Sequence, residues 1–149
     1  MSLVYRTEQE QDVGVRVAEI FEQSNDSLPD RLDNFPRYIR RVPLKRFLAM
    51  YEIFKRALPV KGSVVECGVF RGFGLMTWAK LSAILEPENL TRRIYGFDTF
   101  AGFPSISSHD TNALTRSRVG DLSASSEEEL KLLIEQYDRD RFLGHISKV

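Results

Sequence analysis

The sequence predicts an α/β fold: a parallel sheet with crossover helices, preceded by a helical N-terminal segment. Short apolar runs at residues 63–67, 93–97 and 145–149 have strand character, and helical patterns of ordinary length fill the intervals between them. A glycine-rich turn, GVFRGFG, follows the first run directly.

Each element has its own warrant. Val13, Val17, Ile20 and Phe21 recur at helical spacing and stop before the polar, Pro-containing SNDSLPD, so one amphipathic helix and then a break are expected. VPLKRFLAMYEIFKRALP is a clearer helix. Leu44, Phe47, Leu48, Tyr51, Phe54 and Leu58 form one apolar stripe, Pro43 suits the first turn, and Pro59 ends it. After VKG, residues 63–67 read as a buried strand and residues 74–85 as a helix apolar nearly all round, ended by Glu86-Pro87. Met76 and Trp78 on that helix are expected in the core. Cys67 alternates with Glu66 and is expected to point away from it, into packing, as an inert thiol. RIYGF reads as a second strand, and SSEEELKLLIEQY as a second crossover helix with a serine cap and an acidic first turn. HISKV begins a third strand.

The 149 residues, 42% of them hydrophobic, suit one modest domain. Lys plus Arg is 21 and Asp plus Glu is 21, so no net field argues for nucleic acid, a membrane surface or an acidic partner. Arg37, Arg40, Arg41, Lys45 and Arg46, interleaved with Phe35 and Tyr38, read as a polar helical face before a nucleic-acid patch. The single cysteine excludes an internal disulfide and suits a reducing cytoplasm. No basic stretch leads into an apolar one at the N-terminus, and no apolar run approaches the ~20 residues that span a bilayer. A soluble, cytoplasmic protein with no membrane or nucleic-acid partner is expected.

In an open parallel sheet, ligands bind beyond the carboxyl ends of the strands, where a glycine turn lets backbone approach the ligand. Glu66, Gly68, Gly72 and Gly74 occupy that place. Their G-x-x-x-G-x-G spacing differs from the dinucleotide fingerprint, and there is no phosphate loop. A carboxylate at the first strand's end suits a cationic amino group, and glycines leave room for an amino-acid-like chain, as in S-adenosylmethionine. Asp98 ends the second strand, the position from which a carboxylate accepts hydrogen bonds from a ribose diol. Taken alone, Glu66 reads equally as a helix cap or an arginine's partner. His109 and Asp110, in SISSHDTNALTRSRVGD, read as part of a solvated loop, with a lid over the site as the alternative.

GSVVECGVFRGFGL, RRIYGFDTFAGFP and GDLSASSEEEL together resemble the macrocin O-methyltransferase family of class I S-adenosylmethionine-dependent enzymes, from roughly residue 42 onward. The resemblance implies a Rossmann-like class I fold truncated within its third strand. Residues 1–41 would be a helical and loop segment, and residues 42–149 the N-terminal half of a cofactor-binding domain. It also implies that Glu66, Gly68, Val69 and Gly72 line the cofactor pocket, that Asp98 binds the ribose, and that Thr99 and Phe100 open an adjoining loop running to Pro104. The family methylates hydroxyls of small molecules, often natural-product sugars, with a divalent metal such as magnesium. Its metal ligands and catalytic base lie on later strands, so none is assigned to this sequence.

Two alternatives stay open: an NAD(P)-dependent Rossmann oxidoreductase using the same acid for its ribose, and a non-catalytic fragment that is truncated or depends on a partner. In the class I topology the first strand pairs with the second on one side and the fourth on the other. With no fourth strand in this sequence, marginal stability or a homo-oligomer is expected.

Overall fold

The computed structural model describes residues 8–107 and 117–149. His109 and Asp110 lie outside the described residues. The chain divides into two compact units, Met1–Leu48 and Ala49–Val149. The division falls within a long helix, α3 (Arg41–Ala57), which the apolar stripe predicted.

In the first unit, α1 (Glu8–Glu22) forms where the Val13–Phe21 periodicity placed it. The segment read as a break contains a further short helix, α2 (Leu28–Asp33), and a 3₁₀ turn, Phe35–Arg37. Ser27 explains α2: its Oγ accepts from the Asp30 backbone N–H at 3.3 Å and donates to Asp30 Oδ2 at 2.5 Å, while Pro29 sits in the first turn. This is a capping box, and it outweighs the breaker character of Pro and Asp. Phe21 and Tyr38 meet edge to face with centroids 4.9 Å apart, and the Arg31 guanidinium lies 4.8 Å over Phe21. Arg37 is committed internally as well, 2.5 Å from Asp26 Oδ2 and stacked over Tyr38.

The second unit is built on β1 (Val64–Cys67) and β2 (Ile94–Phe97), which pair in parallel with Val64 opposite Ile94 and Glu66 opposite Gly96. Between them runs α4 (Phe73–Leu85), and α5 (Glu127–Asp140) follows β2. The core lies on one face of the sheet. Val69, Leu75, Ala79, Ile94, Leu130 and Tyr137 are buried together there, with Met76 and Trp78 packed against them as expected. Tyr137 fastens α5 to α4, its hydroxyl donating to the Ala79 carbonyl at 2.6 Å, and burial pushes its phenol up to about 12.

The opposite sheet face is open among the described residues. Alternation sends Val65, Cys67, Tyr95 and Phe97 to that side, and all four are exposed. Cys67 does point away from Glu66, but the expectation that it would be buried is corrected. Both crossover helices pack on the face of Val64 and Ile94, and nothing described covers the other.

The expected third strand is corrected too. Ile94 N–H donates to the Lys148 carbonyl at 2.9 Å, which brings residues 147–149 alongside β2, but one bond makes no ladder and the sheet has two strands. Lys148 is held there by Nζ, which donates to the Asn89 carbonyl at 2.5 Å.

A buried ion pair joins the elements behind the sheet. Arg92, 5% exposed, donates to the carbonyls of Ala57, Leu58, Val60 and Gly62, so it caps the end of α3 and holds the turn into β1. Its Nε stands 2.7 Å from Glu86 Oε1, close as an ion pair but poorly aligned for a hydrogen bond. Glu86 also accepts from Ser82 Oγ and Asn89 Nδ2, each at 2.7 Å.

Candidate functional site

The carboxyl ends of β1 and β2 carry two loops, residues 68–72 and 98–104, and Asp98 ties them together. Oδ2 accepts from Phe70 N–H and Oδ1 from Phe100 N–H, both at 2.7 Å. These bonds, with Phe70 the larger influence, hold the Asp98 carboxyl below the usual range. Phe70 and Phe100 both have φ of 54°, a left-handed conformation costly for a non-glycine residue. The carboxylate stabilises that geometry by accepting the two N–H groups it presents. A carboxylate has about four acceptor positions, so Asp98 retains capacity for a ligand hydroxyl.

The glycines divide by function. Gly68 has φ of +89° and nothing within 4 Å of the place a Cβ would take, so it presents bare backbone to open space at the end of β1. Gly72 has φ of +79° and is buried against α5, where an added Cβ would overlap Leu130 Cδ2. Gly74 lies against Glu66, whose carboxylate fills the space of its missing side chain. That puts a negative charge beside the first turn of α4, where the helix macrodipole favours it. Val69 is 5% exposed and packs under the turn, its Cγ2 lying 2.8 Å from where a Gly96 Cβ would stand. Of the residues predicted for the site, then, Gly68 and Asp98 face the open end of the strands, while Val69 and Gly72 sit in packing beneath it.

Thr99 and Phe100 lead into the second loop. Thr99 Oγ1 accepts from Ala101 N–H at 3.3 Å, and the Phe100 carbonyl accepts from Ala124 N–H at 3.1 Å. Phe103 and Gly120 add reciprocal backbone bonds at 3.0 Å: Phe103 N–H to the Asp121 carbonyl and Gly120 N–H to the Phe103 carbonyl. Ser126 occupies the cap position of α5 as predicted, but its hydroxyl is not used there; it donates to the Phe70 carbonyl at 2.8 Å. The serine therefore pins the glycine turn instead of its own helix. Nothing in the local cap pattern signalled this, because the partner is 56 residues away.

Between the two loops and the start of α5 lies a cleft of about 630 Å³, bordered by Arg71, Phe100, Ser126 and Glu129. Among the described residues, no group of three or more His, Cys, Asp or Glu side chains could hold a metal ion. No described helix is long and apolar enough to cross a membrane.

Gly68 and Asp98 fit the end of an adenosyl amino acid on two counts: open space over a glycine, and a deprotonated carboxylate at the neighbouring strand end. The exchange of Gly68 and Gly72 for alanine separates ligand space from packing. Gly72→Ala adds an overlap with Leu130 to the strain of a positive φ and is expected to cost clearly more stability than Gly68→Ala, whose cost is the strain alone, about 1 kcal/mol. Urea unfolding of the two variants checks the order, and equal losses would count against a packing role for Gly72.

Comparison with known proteins agrees with the geometry. No curated protein matches the chain. Among solved structures, the chain superposes on the crystal structure of CalS11, a calicheamicin methyltransferase, with a TM-score of 0.89 and 29% identity over 97% of its own length. A second structure, the apo form of CalS11 described as a TDP-rhamnose 3'-O-methyltransferase of calicheamicin biosynthesis, matches with a TM-score of 0.76 and 24% identity over 99% of this chain. The chain spans 56% and 57% of the length of those two structures. The family model for macrocin O-methyltransferase (TylF) matches residues 40–142, which contain both strands and both loops. The chain belongs to the macrocin O-methyltransferase family.

Proposed function

We propose that this chain is the S-adenosylmethionine-binding part of an O-methyltransferase whose acceptor is a hydroxyl of a sugar or another small natural product. The observation that carries the reading is Asp98, an ionised carboxylate at the end of β2, bonded to the loop that follows β1 and adjacent to the open backbone of Gly68. In this reading the fold is Rossmann-like, with residues 42–149 as the N-terminal half of the cofactor domain and a protein that works in the cytoplasm.

Asp98 would accept from the ribose diol, Gly68 would admit the methionine end, and Glu66 would supply negative potential beneath the turn, suited to the cofactor's ammonium and sulfonium. The bound cofactor supplies an electrophilic methyl group. The chain's contribution is to hold that group in a fixed orientation, so that an acceptor hydroxyl meets it in line. No residue here is given the part of base or metal ligand. Dependence on magnesium, expected from the resemblance, has no support in the residues described, and no step is derived through a metal.

Calorimetric titration with S-adenosylhomocysteine and with NAD tests the reading. Binding of the first and not the second is expected, and binding of NAD alone would overturn it in favour of an oxidoreductase.

A further inference from the structure

The cleft beside the proposed cofactor position has a chemistry of its own. Its border includes Arg71 from the turn after β1, Phe100 from the loop after β2, and Ser123, Ser125 and Glu129 around the start of α5. Glu66, Gly68 and Asp98 are not among its lining residues. Among the described residues, the Arg71 guanidinium makes no ion pair and only rests 5.3 Å over the Phe70 ring. Glu129 likewise forms no ion pair among the described residues, although it borders the same cleft. The neighbouring glutamates Glu127 and Glu128 are both taken up by Lys131 at 2.9 Å. Ser126 is committed to Phe70, whereas the hydroxyls of Ser123 and Ser125 have no hydrogen-bond partner among the described residues.

We infer that this cleft is the acceptor subsite, and that it takes a sugar bearing an anionic group, such as a sugar phosphate or nucleotide sugar. The inference rests on the methyltransferase reading and names where its acceptor sits. About 630 Å³ lies within the usual range for a small-molecule site. A sugar presents C–H faces to an aromatic ring and hydroxyls to carboxylate and serine oxygens, which are the groups on this border. A guanidinium with no internal partner matches a phosphate by charge and by its planar fork of donors. Glu129 argues against a simple anion site. Paired with Arg71 across one cleft, it favours a ligand with donor hydroxyls at one end and negative charge at the other.

The position also suits the reaction. Phe70 and Phe100 are joined through Asp98, so the cleft wall and the proposed ribose acceptor are parts of one hydrogen-bonded unit.

The test uses TDP-rhamnose as the acceptor probe and S-adenosylhomocysteine as the cofactor probe, each titrated calorimetrically into the wild-type chain and into Arg71→Ala, Arg71→Lys and Glu129→Gln. Arg71→Ala is expected to weaken TDP-rhamnose about tenfold or more, with partial recovery in Arg71→Lys and a smaller loss in Glu129→Gln. Affinity for S-adenosylhomocysteine should change less than about twofold in all three. A wild-type chain that ignores TDP-rhamnose overturns the inference, as does an Arg71→Ala variant that binds it unchanged. Equal loss of both probes also overturns it, by assigning the cleft to the cofactor. If TDP-rhamnose behaves as expected while S-adenosylhomocysteine fails to bind the wild type, the subsite stands and the cofactor reading falls.

Discussion

Replacing Arg92 with methionine is expected to remove about 3 to 5 kcal/mol of folding free energy, a large part of what a small domain has. The physical reason lies in what is left behind. Glu86 is about as buried as Arg92, with side-chain exposures of 10% and 6%. Its carboxylate would keep Ser82 and Asn89 as partners but lose the cation that compensates its burial. On the other side, the carbonyls of Ala57, Leu58, Val60 and Gly62 would lose their shared donor at the point where α3 ends and the chain turns into β1. Methionine matches the stem of arginine in length and keeps contact with Phe54, so the loss would measure charge and hydrogen bonding more than volume. Glu86→Gln added to Arg92→Met should recover part of the cost, since a neutral amide needs no counter-charge. Urea unfolding followed by circular dichroism gives both numbers. A single-variant loss under about 1 kcal/mol would show the network to be incidental.

Arg92 also marks the limit of what the sequence discloses. The helices were legible because their apolar stripes repeat at helical spacing, and α1, α3, α4 and α5 stand where periodicity placed them. β1 and β2 were legible as short apolar runs before and after a long apolar helix. Arg92 sits at the head of RRIYGF as one basic residue among twenty-one Lys and Arg, and nothing local distinguishes it. Its four carbonyl partners lie 30 to 35 residues away, across a helix and a strand. α2 was concealed for a different reason. SNDSLPD carries turn formers, yet Ser27 and Asp30 at capping-box spacing turn the same residues into a helix start. For Cys67 the alternation gave its direction correctly. Whether that side is covered depends on elements elsewhere, which no strand pattern reports.

The site was legible in its location and less so in its division of labour. A strand, a carboxylate and glycines pointed to the carboxyl ends of the sheet, and Asp98 stands there beside Gly68. That Gly72 answers to Leu130 and Gly74 to Glu66 follows from the packing of α5 and the register of β1, neither of which is written in the spacing of the glycines.

Asp98→Asn should show how far the proposed site depends on one side chain. An amide has one oxygen acceptor where the carboxylate offers two, so either Phe70 or Phe100 would face an NH₂ group in place of its acceptor. Both residues hold a left-handed backbone that the charge-assisted bonds stabilise, and both loops should loosen together. The expected result is a loss of about 2 kcal/mol in stability near neutral pH and at least roughly tenfold weaker binding of S-adenosylhomocysteine, with helical circular dichroism unchanged. The pH dependence carries the sign. The folded-state pKa of Asp98 lies below its ordinary value, about 3.9 in an unfolded chain, so its contribution is complete above that value. It is lost as pH falls through the depressed folded pKa, because protonation removes the charge that both N–H groups address. The stability gap between wild type and Asp98→Asn should therefore be widest from pH 5 upward, to within about one unit, and should narrow on acidification below the ordinary carboxyl range. Asp121, which accepts from the Arg118 backbone N–H at 2.8 Å in the adjoining segment, provides the control: Asp121→Asn should leave the affinity for S-adenosylhomocysteine within about twofold of wild type. A gap between wild type and Asp98→Asn that stays constant from neutral to acid pH would mean that the carboxylate's charge does not hold the two loops.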